Sequence, residues 1–466
     1  MRRFEPKAAV REIRDRIDHP IIDADGHQIV FVPLVIEEVG RLLGTSGAKR
    51  FVEYISSVAD PNTDTHSRSR TFWGLPEENT LDRMTSTLPR LLYQRLDALG
   101  LDYALLYPTI GLTMLGCADQ EMRQATCRAL NNYNANVYRD YRDRLEPVAV
   151  IPCFTPEEAV AELDYAVGEL GLKTIVTSSV VPRSAEERNM GLPWLDTLGH
   201  ASLYDYDPFW ERCLALGVVP AFHGLGYGWG TRVSRENYVY NHIGSFAAAQ
   251  EAVCRSLVMG GVPQRFPQLH FAFLEGGTTW GCQLYADLLG HYEKRNKDAV
   301  LQFDPARFDL GLCRELIDEF ADEAIAKRAQ DYIDGMRGAP VDVKGYDDFA
   351  ESRIESQSDI SRIFQNQFHF GCEADDPMNA LAFDRKLLPR GIRLNAMFAS
   401  DIGHWDVPDM TEVLPEAWEL VEHGHLEPDE FADFTCFNAM RMLTSVNPGF
   451  FKGTAIEDAA TKISAS

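Results

Sequence analysis

Short apolar runs alternate with longer amphipathic stretches along most of this chain. Residues 89–100 have apolar side chains at helical spacing, a proline near the start and a glycine at the end, and the apolar run 103–107 follows directly. The same step from helix to strand recurs in 119–152, 156–176, 207–223 and 246–275. Strands that alternate with helices of this length are typical of parallel β/α units, which form either a barrel or a doubly wound sheet.

The order of elements divides the chain into four predicted regions. The alternation stops near Trp280, where an acidic, helix-rich segment begins, and an apolar strand returns near residue 394. We expect that segment to be an insertion that caps a site or makes a contact between subunits. The regions are a charged N-terminal leader helix (1–19), a barrel portion with strands 1 to 6 (20–280), the helical insertion or cap (281–393), and the last barrel strand with C-terminal helices (394–466).

Several apolar runs end in acidic or imidazole side chains. Asp25 and His27 lie two residues apart, so they share one face of a strand. His223, Glu275 and Asp401 end later apolar runs in the same way. In a parallel β/α barrel the C-terminal ends of all strands meet at one rim, which holds the active site. The sequence therefore predicts that these five side chains converge.

The chemistry of this set suits one divalent cation. Two imidazoles and two carboxylates, with a coordination position left for water, are typical of a catalytic metal site. We predict Asp25, His27, His223 and Asp401 as ligands. An ionised Glu275 nearby would make the centre net negative, so we expect its pKa to be raised and the group to act as a proton shuttle.

Each of these residues also has an ordinary structural interpretation. An Asp-x-Asp-x-His pentad occurs by chance in surface loops, and His223 could be a core histidine bonded to the backbone. Glu275 could begin a helix, where acidic residues are common, and Asp401 with His404 could form a turn at a helix start. The apolar pair before Asp25 and its later partners favour the metal site.

Composition excludes several classes of protein. The 466 residues carry 45 Lys and Arg against 70 Asp and Glu, a formal charge of −25 that opposes binding to nucleic acid or anionic membranes. The nine cysteines include no C-x-x-C pair, so we expect reduced thiols in a cytoplasmic protein. No stretch approaches the roughly 20 apolar residues of a spanning helix. We therefore expect a soluble homodimer that acts on a small molecule.

Taken together, four motifs resemble a known family. Asp-Ala-Asp25-Gly-His27, Phe-His223-Gly, Phe-Leu-Glu275-Gly-Gly and Ser-Asp401-Ile-Gly-His404 are similar, in type and order, to those of the amidohydrolase-related family. The branch concerned includes aminocarboxymuconate semialdehyde decarboxylase. The resemblance implies an α/β fold, a distorted (β/α)₈ TIM barrel with one divalent metal, here with a helical insertion before the last strand.

The resemblance also assigns positions. The family's histidine pair on the first strand corresponds to Asp25 and His27, its fifth-strand histidine to His223, and its eighth-strand aspartate to Asp401. Its catalytic histidine on the sixth strand corresponds to Glu275.

Departures from the family pattern shape the expected activity. Asp25 in place of a histidine makes the site harder, so Mn and Fe join Zn as candidate metals. Lys173 lies at the start of its strand and not at the end, so no lysine is placed to bridge a second metal. Glu275 in place of a histidine disfavours an anionic carboxylate on the metal, so we expect hydrolysis of an amide, ester or thioester of a bulky carboxylic acid. Asp401 would activate water, and Glu275 or His404 would protonate the leaving group.

The substrate pocket is predicted from loops and strand ends. Residues 60–80 have no apolar period and are rich in turn residues, and so long a loop favours a functional role. Aromatic residues near strand ends indicate a broad, mainly apolar pocket. The predicted substrate-binding residues are Trp73, Arg83, Tyr107, Trp229 and Trp280, although an arginine in such a position is more often a surface residue than a substrate clamp.

Two other functions remain open at this point. The family resemblance favours, as the alternative, a non-oxidative decarboxylase or C–C hydrolase of an aromatic or muconate-like acid. A catalytically silent scaffold is the third possibility. Bound metal that disappears when His223 or Asp401 is replaced would separate an enzyme from a scaffold.

Overall fold

The computed structural model describes residues 4–59, 78–184, 194–224, 232, 234, 237–336 and 346–464. Within these ranges no helix combines the length and apolar character needed to cross a membrane.

Within the described residues, eight short parallel strands form the centre of the fold. Each pairs with its successor along the chain, so the order in space follows the order in sequence. The strands are β1 (Ile22–Gln28), β2 (Tyr103–Pro108), β3 (Leu145–Pro147, continued as Ala149–Val150), β4 (Ile175–Thr177), β5 (Pro220–Phe222), β6 (Phe271–Phe273), β7 (Phe368–Glu373) and β8 (Asn395–Ala399).

Hydrogen bonds just beyond β8 close the ring. The amide of Asp401 donates to the carbonyl of Asp25 at 3.1 Å, and the amide of His27 donates to the carbonyl of Ile402 at 2.9 Å. The carboxylate of Asp23 also accepts from the amide (2.9 Å) and hydroxyl (2.5 Å) of Ser400. The last strand is thereby joined to the first, which confirms the predicted (β/α)₈ barrel.

Helices surround the barrel. Those outside the 281–393 segment are Ala8–Arg14, Val32–Ala59, Thr80–Thr87, Pro89–Leu99, Thr109–Leu115, Gln120–Val137, Pro156–Leu163, Asp207–Leu216, Tyr238–His242, Ser245–Met259, Val262–Arg265, Val413–Glu422, Pro428–Ala432, Asn438–Val446 and Glu457–Ser464. Helix Thr279–Arg295 begins just before that segment and runs into it. An antiparallel pair, Val181–Arg183 with Trp194–Asp196, lies outside the barrel order.

Helix ends follow signals that are visible in the sequence. Pro89 occupies the first turn of its helix, and Gly100 ends it in the left-handed region at φ +79°. The side chains of Asp119 and Thr155 accept from the amides of Met122 and Glu158, which satisfies donors at two helix starts.

One predicted boundary is wrong. The segment 281–393 contains helices Leu310–Phe320, Glu323–Ala326, Ala329–Gly335 and Gln357–Asn366, as its acidic pattern indicates, but it also contains β7. This strand lies between β6 and β8 and pairs with both, so it is part of the barrel and not of an insertion. The sequence hides it because the run Phe-His-Phe-Gly-Cys-Glu is short and is interrupted by histidine and glycine.

Candidate metal centre

The five residues expected at the barrel rim lie close together. Asp25 and His27 are in β1, His223 directly follows β5, and Glu275 and Asp401 each lie two residues beyond their strands. All five are buried, with Glu275 the most exposed at 8%. The C-terminal ends of four strands therefore supply one compact group of side chains.

His27 lies at the middle of this group. Its Nε2 atom is 3.4 Å from Nε2 of His223, 3.6 Å from Oδ1 of Asp25, 3.4 Å from Oδ1 of Asp401 and 4.0 Å from Oε2 of Glu275. His223 Nε2 is in turn 2.9 Å from that Glu275 oxygen and 3.9 Å from Oδ2 of Asp25. Imidazole nitrogens and carboxylate oxygens therefore point at a shared volume.

The backbone at two of these positions is strained. Glu275 has φ +56° and Asp401 has φ +50°, which place both residues in the left-handed region that non-glycine residues rarely adopt. Each follows the end of its strand, so the turn redirects the carboxylate toward the barrel axis. Strain of this kind is characteristic of functional positions.

Burial makes the charges of this group costly. Desolvation raises the pKa of Asp25, Glu275 and Asp401 well above the usual range, and neighbouring carboxylates raise it further in each case. The same desolvation lowers the pKa of His223 and, with help from the ring of His404, that of His27 well below its usual value. Neutral imidazoles beside crowded carboxyl groups suit a bound cation.

The donor set fits a divalent ion. Both carboxylate oxygens of Asp25 are buried without a hydrogen-bond donor among the described residues, an arrangement that is costly unless a cation binds there. Asp25, His27, His223 and Glu275 can each present a ligand atom within 4.8 Å of the others. So can His27, Glu275, Asp401 and His404, and the two sets share His27 and Glu275. The centre can therefore hold one metal ion.

Comparison with known proteins places this geometry in a family. The family model described as amidohydrolase matches residues 86–326, just over half of the chain, including His223 and Glu275. The chain belongs to the amidohydrolase family. The resemblance found in the four motifs is thus confirmed, and the protein is an enzyme of that family. Comparison with curated proteins gives no match.

Solved structures share the fold of this amidohydrolase at low sequence identity. An amidohydrolase from Mycobacterium avium subsp. paratuberculosis K-10 is 16% identical, with a TM-score of 0.53 over 92% of this chain and 100% of that one. A 5-carboxyvanillate decarboxylase from Sphingomonas paucimobilis is 14% identical, with a TM-score of 0.50 over 91% of this chain and 99% of that one. A 2,6-dihydroxybenzoate decarboxylase from Rhizobium is 14% identical, with a TM-score of 0.50 over 92% of this chain and 99% of that one.

The predicted substrate-binding residues of the amidohydrolase are only partly described. Tyr107 is fully buried, and its ring lies 6.0 Å from that of His27 and 6.1 Å from that of His223. Arg83 is half-buried on helix Thr80–Thr87. Trp73 and Trp229 lie outside the described residues, as does most of the loop 60–80.

Trp280 lies in the packing layer behind the amidohydrolase barrel. Its ring is 5.7 Å from that of Phe273 and 5.3 Å from that of Phe370, and all three belong to one apolar cluster. Nothing in these contacts directs it to a substrate, and its predicted role stays a prediction.

Sequence reasoning missed an aromatic group beside the centre. Phe246 packs edge-on against His223 at 5.5 Å, and His242 packs against Phe246 at 5.7 Å. Tyr238 stacks on His242, with ring centroids 5.1 Å apart. The ring of Trp405 lies 5.7 Å from that of His242, and the Nε1–H of Trp405 donates to the hydroxyl of Tyr238. We call these four residues, Tyr238, His242, Phe246 and Trp405, the aromatic wall. No periodicity links them, because they come from two helices and a turn.

Glu373 was also missed, because its strand was not recognised. It ends β7 and so joins the same rim of the amidohydrolase barrel. Burial raises its pKa well above the usual range, and the carboxyl of Glu275 adds to the effect. A carboxyl group at the C-terminal end of a barrel strand is the signal that would have found Glu373, had β7 been recognised.

Proposed function

We propose that this protein is a metal-dependent, non-oxidative decarboxylase of an aromatic carboxylic acid. The observation that carries the proposal is the convergence of Asp25, His27, His223, Glu275 and Asp401 at one buried rim, beside the aromatic wall. The donors suit a cation that binds a carboxylate, and the wall suits an aromatic ring.

The choice of decarboxylation over hydrolysis is supported by likeness of fold. Two of the solved structures with this fold, covered almost completely, are decarboxylases of 5-carboxyvanillate and 2,6-dihydroxybenzoate. The sequence favoured hydrolysis because an ionised Glu275 would repel a substrate carboxylate. A divalent ion held beside Glu275 would offset the charge of that carboxylate, so the objection loses force.

In this proposal Asp25, His27, His223 and Asp401 would hold one divalent ion, which would offset the charge of the substrate carboxylate. His404 Nδ1 lies 2.6 Å from Oδ1 of Asp401, so this pair is placed to hold the reacting proton. A C–H bond forms at the ring carbon, the bond to the carboxylate breaks, its electron pair returns to the ring, and carbon dioxide leaves.

The test uses the full-length protein loaded with Mn²⁺ or Zn²⁺. We expect hydroxybenzoic acids to release headspace carbon dioxide and, in D₂O, to give products with one deuterium at the carbon that lost the carboxylate. The His223→Ala variant should lose at least about a hundredfold in kcat/KM. The proposal would be overturned if ¹⁸O from water entered the acid product of an ester, amide or thioester while no carbon dioxide was formed.

A further inference from the structure

Gln250 joins the ends of two strands that lead into residues of the metal centre. Its side chain is fully buried. Its Nε2 donates to the carbonyl of Phe222 at 3.1 Å and to the carbonyl of Leu274 at 2.9 Å. Phe222 directly precedes His223, and Leu274 directly precedes Glu275. One side-chain amide therefore bonds the peptide groups that lead into both residues of the centre.

The orientation of this amide follows from its neighbours. The Oε1 atom of Gln250 accepts from the hydroxyl of Ser179 at 3.1 Å. Backbone carbonyls can only accept, so the NH₂ group must face Phe222 and Leu274, and the oxygen must face the hydroxyl. Ser179 is fully buried and lies two residues beyond β4. Gln250 and Ser179, which we call the amide clamp, thus tie together the ends of β4, β5 and β6.

Glycines that follow His223 and Glu275 let the amide clamp come close. A Cβ atom added to Gly224 would lie 2.8 Å from Oγ of Ser179. A Cβ atom added to Gly276 would lie 3.1 Å from Cγ of Gln250. Both distances are shorter than packed atoms normally approach, so a side chain at either position would push the clamp away from the turn.

The clamp acts on the two side chains of the centre through the backbone. A peptide group is planar, so a bond to the carbonyl of Leu274 also restrains the amide nitrogen of Glu275 and hence its φ angle. That angle is +56°, a value that persists only where the surroundings enforce it. In the other peptide group, the carbonyl of Phe222 bonds the clamp, and the amide of His223 donates to the carbonyl of Thr177 at 3.1 Å. Both peptide planes are thus held where the functional side chains begin.

We propose that Gln250 is a positioning residue that holds His223 and Glu275 in the geometry that binds the metal. Its helix, Ser245–Met259, also carries Phe246 one turn earlier, and that ring packs edge-on against His223. The same helix therefore restrains His223 through its backbone and through its ring. The inference rests on the metal centre of the proposed function and not on its substrate.

The test compares Gln250→Leu, which removes the amide at similar volume, with Gln367→Leu. Gln367 is the matched control, because its buried Nε2 also donates to backbone carbonyls, but it directly precedes β7 and so lies at the opposite end of the strands. We expect both variants to lose stability, since each leaves buried carbonyls without a donor. Only Gln250→Leu should weaken Zn²⁺ binding, about tenfold or more in a competition with a chelating dye.

A second measurement reports the geometry of the ligands directly. In Mn²⁺-loaded protein we expect the electron paramagnetic resonance spectrum of Gln250→Leu to differ from that of wild type, and the spectrum of Gln367→Leu to match it. Wild-type Zn²⁺ affinity with an unchanged Mn²⁺ spectrum in Gln250→Leu would overturn the proposal, as would an equal loss of affinity in Gln367→Leu.

Ser179→Ala decides the matter if Gln250→Leu does not fold. This variant removes one hydroxyl from the amide clamp and keeps both bonds from Gln250 to the backbone carbonyls. About threefold weaker Zn²⁺ binding would support the clamp, and wild-type affinity would overturn it. Because no measurement involves turnover, a failed decarboxylase assay leaves this test intact.

Discussion

At the scale of single residues, the centre exchanges stability for the capacity to bind a cation. Asp25 and Asp23 are two residues apart in β1 and both are buried, yet their surroundings differ. Asp23 accepts from the amide and hydroxyl of Ser400, whereas both oxygens of Asp25 lack a hydrogen-bond donor from the described residues. One aspartate therefore holds the barrel closed, and the other is available to a metal.

This contrast gives the first prediction. Asp25→Asn should weaken Mn²⁺ or Zn²⁺ binding at least about a hundredfold, and it should raise the Tm of the metal-stripped protein because a buried carboxyl with no donor is removed. Asp23→Asn, the matched variant, should lower that Tm, with a loss of about 1–2 kcal/mol. Mass spectrometry measures the metal content, and thermal melts in the presence of chelator measure the Tm of each metal-stripped variant. Equal Tm shifts in Asp25→Asn and Asp23→Asn would contradict the different roles of the two aspartates.

The aromatic wall gives a prediction about substrate binding. Trp405→Leu should raise KM for an aromatic acid about fivefold and change kcat less, since contact with the ring is lost while the metal donors remain. Tyr240→Leu is the control, because Tyr240 is 55% exposed and lies on the same helix as two members of the wall. Steady-state kinetics on both variants test this, and equal KM values in wild type and Trp405→Leu would count against the wall.

At the scale of elements, buried ion pairs join neighbouring helices around the barrel. Arg123 on helix Gln120–Val137 donates to both carboxylate oxygens of Glu158 on helix Pro156–Leu163, at 2.8 and 3.0 Å. The guanidinium also lies 3.5 Å from the centroid of the Phe154 ring. Both charged side chains are buried, so removal of one partner leaves the other uncompensated.

Glu158→Gln should therefore lower the free energy of unfolding by about 3 kcal/mol. Glu121→Gln, on the same helix as Arg123 but at the exposed pair with Arg50, should cost less than about 1 kcal/mol. Urea unfolding of both variants at neutral pH gives the comparison. Similar losses in the two would show that burial of the first pair does not matter.

A second element-level feature lies at the opposite end of the strands from the metal centre. His270, which precedes β6, has Nδ1 2.9 Å from Nε2 of His369 in β7. Burial lowers the pKa of His270 to about 4 and that of His369 well below its usual value. As pH falls, the unfolded chain therefore binds protons at these two histidines before the folded chain does. The stability contributed by the neutral histidine pair is complete above about pH 6.5 and is lost as pH falls toward 4.

Removing one of these histidines should flatten the acid side of the stability curve. Between pH 6.5 and 4 we expect His270→Gln to reduce the slope of unfolding free energy by about 1.4 kcal/mol per pH unit. The exposed His425→Gln should leave that slope as in wild type. Urea titrations at a series of pH values measure this, and identical slopes in all three proteins would contradict the role of the pair.

At the scale of the whole molecule, net charge acts against the proposed substrate. A formal charge of −25 repels an anionic aromatic acid during its approach, although it has no bearing on the fold. Salt screens such repulsion over distances of about 10 Å at 0.1 M.

We therefore expect kcat/KM for an anionic substrate to rise about twofold between 20 and 200 mM NaCl, as an order-of-magnitude effect of screening, while kcat changes little. Steady-state assays of the metal-loaded protein at a series of NaCl concentrations measure this dependence. A fall in kcat/KM with salt would indicate a local cationic attraction at the entrance that outweighs the net charge.

The sequence by itself determined the repeating unit of the fold and the chemistry of its rim. Proline and glycine at helix ends, and apolar runs that close in His223, Glu275 and Asp401, are local signals, because caps and the alternation of strand side chains depend on near neighbours. Those signals predict parallel β/α units with polar side chains at the ends of their strands, whereas the choice of a barrel came from the resemblance of four motifs to a family.

Tertiary structure decided what depends on distant contacts. β7 became a barrel strand only by pairing with β6 and β8, since its own sequence is short and interrupted. The aromatic wall acquires meaning only where separate segments meet. Closure of the ring likewise depends on Asp23 meeting Ser400, 377 positions away, and no local pattern encodes a contact that exists only once eight strands have curved into a barrel.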